Sequence, residues 1–400
     1  MRWGRLGVMT MGLGLVGTAC GVTEIFGEPG GSDPVQAVSS PREDVPSALD
    51  DRFNERHPEP LIDPNDVFSG GPPPDGIASI DDPEFAPASE INFLEDDEPV
   101  LVLELDGEVR AYPIQIMTWH EIVNDTVGDT PVTVTFCPLC NSALAYNRQV
   151  GERVLEFGTS GLLHNSALVM YDRQTESLWD HFTGKAVIGH LTGTPLEVFP
   201  VQTVGWETFR QNNPDALVLT RDTGFDRSYG ENPYSGYDDI EGGPRFANAG
   251  EDDGRLRPME RVVTVSSDQL PEELQAGAEP VAVVQEDLVK QGVLEVDMGG
   301  TTLTVWAEPG AASALDSGSV ADGRDVGQTG VFMPEADGRQ LTFERRGNGF
   351  VDKETGSRWN ILGEATDGEL AGTKLQSIPH LNTFWFAWAA FQPDTEIVDT

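Results

Sequence analysis

From about residue 66 onward, apolar positions recur with the periods of strands and short helices, and each run marks an element. In "EPVLVLELDGEVRAYP" two apolar runs flank Asp106-Gly107, the dipeptide favoured in two-residue hairpin turns, so a β-hairpin is expected. In "PIQIMTWHEIVND" Ile114, Ile116, Met117 and Ile122 fall near helical spacing behind Pro113, which predicts a short helix. "PVTVTF" is a β-branched strand running straight into Cys137. "RVLEFGTSG", "SALVMYD" and "PLEVFPVQTV" read as further strands, with "GTSG" as a turn. "WETFRQNN" reads as a short helix ended by Pro214, and "FWFAWAAF" as a core helix with Phe384, Trp388 and Phe391 on one face. The pattern predicts a β-rich α+β fold.

The punctuation repeats. Asp172, Thr175, Ser177 and Trp179 match Asp352, Thr355, Ser357 and Trp359 at one constant offset. Gly193-Thr194, Trp206, Phe209 and Pro214-Asp215 are echoed by Gly372-Thr373, Trp388, Phe391 and Pro393-Asp394. "VTVTFCPLCNSALAY" corresponds loosely to "TTLTVWAEPGAASAL", and "EPVLVLEL" to "EPVAVVQE". Two degenerate internal repeats of mostly antiparallel strands, with one or two short helices each, are expected at 66–258 and 259–400. In this alignment Trp306 or Ala307 and Gly310 stand where Cys137 and Cys140 stand, so the fold does not require the cysteines.

Composition narrows the partners. The net charge is -42 and the only lysines are Lys185, Lys290, Lys353 and Lys374. Such a surface repels phosphate backbones, which disfavours nucleic acid. At the N-terminus, Arg2 and Arg5 precede the apolar, glycine-rich "LGVMTMGLGLVGTAC", the length of a signal-peptide core and short for a bilayer span. Small residues before Cys20-Gly21 resemble a bacterial lipobox, in which the cysteine is lipidated. Residues 1–20 are therefore expected to direct export, with Cys20 as a lipid anchor to the membrane at the cell envelope. Residues 21–65, rich in Pro, Gly, Asp, Glu and Ser, read as a solvated acidic tether.

That leaves Cys137 and Cys140 in the folded body, in a compartment where disulfides persist. Cys-x-x-Cys is a two-point clamp for a soft or borderline metal and needs further ligands. His120 lies upstream across a turn and a strand, and a helix packed back over that strand would bring it to the thiols. Cys137, Cys140 and His120 with an open position suit copper first and zinc second. A redox dithiol and an inert disulfide brace stay open beside that reading. A thioredoxin fold is disfavoured, because "NSALAYNRQVGERVLEF" reads as strand, turn and strand.

"MTWHEIVNDTVGDTPVTVTFCPLCNSALAY", "FGTSGLLHNSALVMYDRQTESLWDHFTG", "RSYGENPYSGY" and "FWFAWAAFQPDT" together resemble the DUF3179 family, often found in exported proteins and lipoproteins and without a known function. The resemblance covers roughly residues 70–400. It places family motifs on Trp119, His120, Glu121, Asn124 and Asp125, on Cys137-Pro138-Leu139, and on Gly161, Asn165, Ser166, Tyr171, Asp172 and Trp179. His164, His181 and His190 depart from the family pattern.

Other candidates are His120 and Glu121 for acid–base work, with Asn124 and Asp125 capping the helix. Ser160, His164, Ser166 and Asp172 could be imagined as a hydrolase set, but no G-x-S-x-G elbow is present. Tyr229, Tyr234 and Tyr237 in "RSYGENPYSGYDD" could form a loop platform for a flat ligand, or could anchor that loop on the body. Three functions follow from the sequence: a metal-binding site, a thiol–disulfide oxidoreductase, and an extracellular ligand-binding module braced by a disulfide. Whether the protein is an enzyme stays open.

Overall fold

A computed structural model of the protein describes residues 42–246 and 253–400. Cys20, the signal segment and residues 21–41 of the expected tether lie outside the described residues. The architecture is β-rich, with mostly antiparallel sheets and four short α-helices among the described residues.

The first half begins with the hairpin of β1 (Pro99–Leu105) and β2 (Glu108–Pro113). Asp106 and Gly107 both take positive φ, 55° and 80°, which is the turn the Asp-Gly pair predicts. Helix α1 (Ile114–His120) follows and ends because Glu121 is left-handed, φ 60°. The chain then turns back as β3 (Ile122–Val127), β4 (Thr130–Cys137) and β5 (Ser142–Asn147), a meander of adjacent antiparallel strands. A second meander comprises β6 (Phe157–His164), β7 (Ala167–Asp172), β8 (Leu178–Asp180) and β9 (Ala186–Ile188). Strand β10 (Val201–Gly205) pairs with β1, helix α2 (Trp206–Asn212) follows, and β11 (Leu217–Leu219) lies parallel to β2.

The second half runs through the same order: β12 (Arg261–Val265), β13 (Val281–Val284), α3 (Gln285–Gln291), then β14 (Val293–Met298), β15 (Thr301–Glu308) and β16 (Gln328–Phe332). The meander β17 (Phe343–Arg345), β18 (Phe350–Asp352), β19 (Arg358–Trp359) and β20 (Ala365–Asp367) comes next. Strand β21 (Leu381–Phe384) pairs with β12, and after α4 (Trp385–Phe391) β22 (Glu396–Ile397) lies parallel to β13. Position in this topology pairs "EPVAVV" with β2, not with "EPVLVLEL": each precedes a helix and receives a parallel last strand. Counting from Thr130 and Thr301, which open β4 and β15, Cys137 aligns with Glu308 and Cys140 with Ala311, a small shift from the sequence alignment.

The matched polar residues do the same work in both halves. Asp172 accepts from Trp179 Nε1 (2.9 Å) and Thr175 N (2.6 Å), and Asp352 from Trp359 Nε1 (3.0 Å) and Thr355 N (2.5 Å). Each buried carboxylate thereby ties a meander's turn to its indole. The halves share cores: Val100, Val204 and Trp206 pack in one cluster with Trp306, Phe332 and Trp359. They also touch backbone to backbone, since a Cβ on Gly205 would stand 1.8 Å from Gly310 O.

Two expectations need correction. Residues 42–65 are not a free tether. Glu43 N donates to Gln174 O (2.7 Å), Leu61 N to Val187 O (2.9 Å), and Ala48 is fully buried against Val169, Leu178 and Ile188. The strap is fixed by backbone bonds, by ion pairs of Arg42 with Glu176 and Glu43 with Arg153, and by the scattered Ala48, Leu49 and Ile62, which leave no apolar period to read. "GTSG" is not a turn but part of β6, where the register shifts between Thr159 and Leu162. Gly161 takes φ 70° there, and a Cβ on it would stand 1.9 Å from Pro72 O.

Candidate functional site

The β4–β5 connection is a four-residue loop, because Cys137 pairs with Ser142. Cys140 N donates to Cys137 O (3.2 Å), a β-turn with Pro138 at its second position, the place where a fixed φ suits the turn. Asn141 follows at φ 53° and returns the chain to β5. This turn places the two sulfurs 2.8 Å apart as free thiols, with both residues buried.

Elements distant in sequence hold the turn. Phe384 N (2.9 Å) and Thr383 Oγ1 (2.8 Å) donate to Cys140 O, and Asn141 Nδ2 to Asn382 O (3.2 Å), so β21 of the second half closes one side. Tyr237 OH donates to Leu139 O (2.9 Å) and its ring packs edge-on to Phe384. The Arg245 guanidinium stands 5.9 Å from both the Tyr234 and Tyr237 ring centres.

On the Cys137 side, Glu121 is buried with its carboxyl bonded to Tyr234, and burial raises its pKa to about 8. The Tyr234 phenol is itself pushed well above its ordinary value, by burial first and then by the neighbouring Glu121 and Cys137. Glu121, Tyr234, Leu139, Leu168 and Arg245 are among the residues that border a cavity of about 50 Å³, which neither sulfur lines. On the other side, Cys140 Sγ lies 3.6 Å from Ser166 O, and the nearby Ser142 and Leu168 favour its charged form. Burial, followed by the Cys137 sulfur, pushes the Cys140 thiol well up.

The remaining candidates fall elsewhere. His120 is buried, with Nδ1 2.6 Å from Ala78 O and Nε2 2.6 Å from Tyr229 OH; burial lowers its pKa to about 4. Both ring nitrogens are engaged away from the thiols. Among the described residues no group of three or more His, Cys, Asp or Glu is placed to hold a metal ion. The copper or zinc set of Cys137, Cys140 and His120 is thus left with two sulfurs and no third donor.

Asn165 and Ser166, at φ 50° and 62°, are the two turn residues joining β6 and β7. His164 pairs with Asp180 (3.1 Å), and Ser160 donates to Val169 O, so no serine triad forms. Asn124 donates to Asp81 (2.7 Å) and Phe157 O (2.8 Å), and Asp125 accepts from Arg110 (2.6 Å) and Tyr112 (2.7 Å). Both are strand residues that fasten neighbours rather than helix caps.

The three tyrosines turn inward instead of forming an open platform. Tyr229 meets His120 and Thr223, while Tyr234 and Tyr237 roof the cysteine turn. Sequence reading missed Arg245, Ser142 and the role of β21, and had His181 only as a departure from the family pattern. Only the nearness of Ser142 to Cys140 was a usable signal, since the others converge from far along the chain.

Comparison with known proteins places this arrangement in context. Residues 74–395 match the sequence model of the DUF3179 family, described as a protein of unknown function, and the chain belongs to that family. No curated protein and no solved structure matches the chain. Among the described residues no helix is long and apolar enough to cross a membrane.

Proposed function

We propose that this member of the DUF3179 family carries a buried thiol–disulfide redox centre, Cys137 and Cys140, that exchanges two electrons with a small oxidant. The observation that carries the reading is the pair of free sulfurs 2.8 Å apart in one tight turn. Few rearrangements are needed to join them, since a disulfide requires about 2.05 Å between sulfurs and no change of backbone when the Cα atoms are already in one turn. The neighbouring Glu121 is the second support. A carboxyl that titrates near neutrality can release or take up the protons that accompany thiol chemistry.

Burial of both sulfurs favours a small co-reactant such as a hydroperoxide over the thiol face of another protein. Cys137, the sulfur that acts on Tyr234, is assigned to meet the oxidant and Cys140 to resolve it. We further propose that the protein is exported and held at the membrane by a lipid on Cys20. The support is the Arg-led apolar segment that ends in Cys20-Gly21.

Reduced, folded protein treated with hydrogen peroxide is expected to lose both thiols together, and a Cys140→Ser variant to stop at an oxidised Cys137. Thiols untouched by peroxide, beside one equivalent of copper or zinc that disappears in Cys137→Ser, would return the site to metal binding. For the anchor, Cys20→Ser is expected to move the protein from the membrane fraction to the soluble one.

A further inference from the structure

The strand register turns one face of the first sheet toward the second half. Gln202 of β10 stands opposite Val102 of β1, and Glu104, two residues on, stands opposite Val109 of β2. Residues directly opposite, or two apart on one strand, share a face, so these four side chains point the same way. Leu362, Lys374, Leu375 and Ser377 approach them from the loops on either side of β20. Between the two sets lies a cavity of about 320 Å³, bordered also by the Asp106-Gly107 turn. Small organic ligands are commonly held in spaces of this size, at seams between packed units.

Two polar groups on these walls are unspent. Gln202 is only 7% exposed, and its Nε2 donates to Thr329 O (3.4 Å) and Ile361 O (3.3 Å). Those bonds fix the amide and leave Oε1 without a partner among the described residues, an acceptor that costs free energy until a donor meets it. Ser377 Oγ is likewise buried and unbonded. The fold does not require an amide at this place. Counting back from Gly205 and Phe384, which precede α2 and α4, Leu381 holds the position of Gln202 in the second half. The rest of the lining is largely apolar, since Val102, Val109, Leu362 and Leu375 all belong to the core that the halves share.

Charge then selects among apolar ligands. Lys374, the one basic residue bordering the cavity, donates from Nζ to Glu364 (2.9 Å) and to Glu104, so two carboxylates already share it. Asp106 is bonded by the neutral Thr130 hydroxyl alone (2.9 Å). Three carboxylates against one ammonium leave the site negative, within a chain of net charge -42. An anionic ligand is repelled there and a cationic one attracted.

We propose that this cavity binds a small organic cation, an amine carried on an apolar body. The hydrocarbon lies on Val102, Val109, Leu362 and Leu375, and the ammonium donates to Gln202 Oε1 within the field of Glu104 and Asp106. None of the residues bordering the cavity belongs to the cysteine turn. The site therefore stands apart from the redox centre and does not depend on the state of the thiols.

Calorimetric titration of the folded protein with n-hexylammonium, methylammonium, n-hexanol and hexanoate, at moderate salt, tests the proposal. Hexylammonium is expected to bind once per chain, ~5-fold or more tighter than hexanol, with hexanoate the weakest of the three six-carbon probes. Methylammonium, which has the charge without the apolar body, is expected to bind at least ~10-fold more weakly than hexylammonium. Asp106→Asn leaves an Asn-Gly pair, which the hairpin turn accepts equally well. It is expected to weaken hexylammonium ~5-fold and to leave hexanol unchanged. Gln202→Leu, which copies the second half, is expected to weaken hexylammonium by ~5-fold as well. If that variant fails to fold, Asp106→Asn decides alone. Hexylammonium that does not bind at millimolar concentration, that is matched by hexanoate or methylammonium, or that binds Asp106→Asn as tightly as the wild type overturns the site.

Discussion

Glu121 sits where the helix before it ends, in a left-handed conformation that turns its carboxyl into the body beside Tyr234. Its folded pKa, about 8, lies above the ordinary value of 4.5. The native state therefore holds a proton that the unfolded chain releases, and stability falls as pH rises from about 4.5 to about 8, then levels off. Glu121→Gln keeps a neutral polar group in place. It is expected to match the wild type in unfolding free energy near the acid end of this window and to exceed it, by a few kcal/mol, above the alkaline end. Urea titrations at the two ends check this; a constant difference across the window would show that Glu121 is already ionised. In the sequence Glu121 was visible as a candidate acid, but its partner was not. Tyr234 is more than a hundred positions away and belongs to a loop whose aromatic residues look equally suited to face solvent.

Elements repeat more faithfully than residues. The Asp–Thr–Trp tie closes a meander turn in each half, but the two carboxylates are not in the same state. At Asp172 burial dominates and raises the pKa. At Asp352 burial also raises it, but bonds from Trp359 and Thr355 outweigh that effect and the net shift is downward. Asp352→Asn, which removes a favoured charge, is expected to cost more than Asp172→Asn at neutral pH, within about 1–3 kcal/mol for each. Denaturant unfolding of the two variants measures the difference, and a larger loss at Asp172 would contradict the assignment.

Elements were legible wherever a local rule set them: the Asp-Gly hairpin, the helix behind Pro113, the strand ending at Cys137. Those set by distant contacts were not. The strap over residues 42–65 has no period, and the bulge at Gly161 is fixed by Pro72. His120 could be placed on its helix but not aimed, since its direction depends on Ala78 and Tyr229.

Across the whole molecule, 67 acidic residues face 25 basic ones. Like charges at this density repel one another over about 10 Å at moderate salt, and compaction brings them closer. Raising sodium chloride from low to near-molar concentration is therefore expected to raise the melting temperature by about 5 °C. A flat response would mean that the ion pairs, such as Arg173 with Asp81 and Asp238 with Arg261 and Arg324, already offset the excess. The same charge surrounds a site with little of it. The cysteine turn is closed by strands of both halves and roofed by an aromatic loop, and both sulfurs are buried.

The most direct test of this account is a redox titration of the folded protein. It is equilibrated in graded mixtures of oxidised and reduced dithiothreitol, acid-quenched, alkylated and weighed. The account predicts one reversible transition in which Cys137 and Cys140 gain or lose alkylation together with the slope of a two-electron exchange, absent in Cys137→Ser. Thiols that stay free, or a disulfide that stays closed, through every mixture would contradict it.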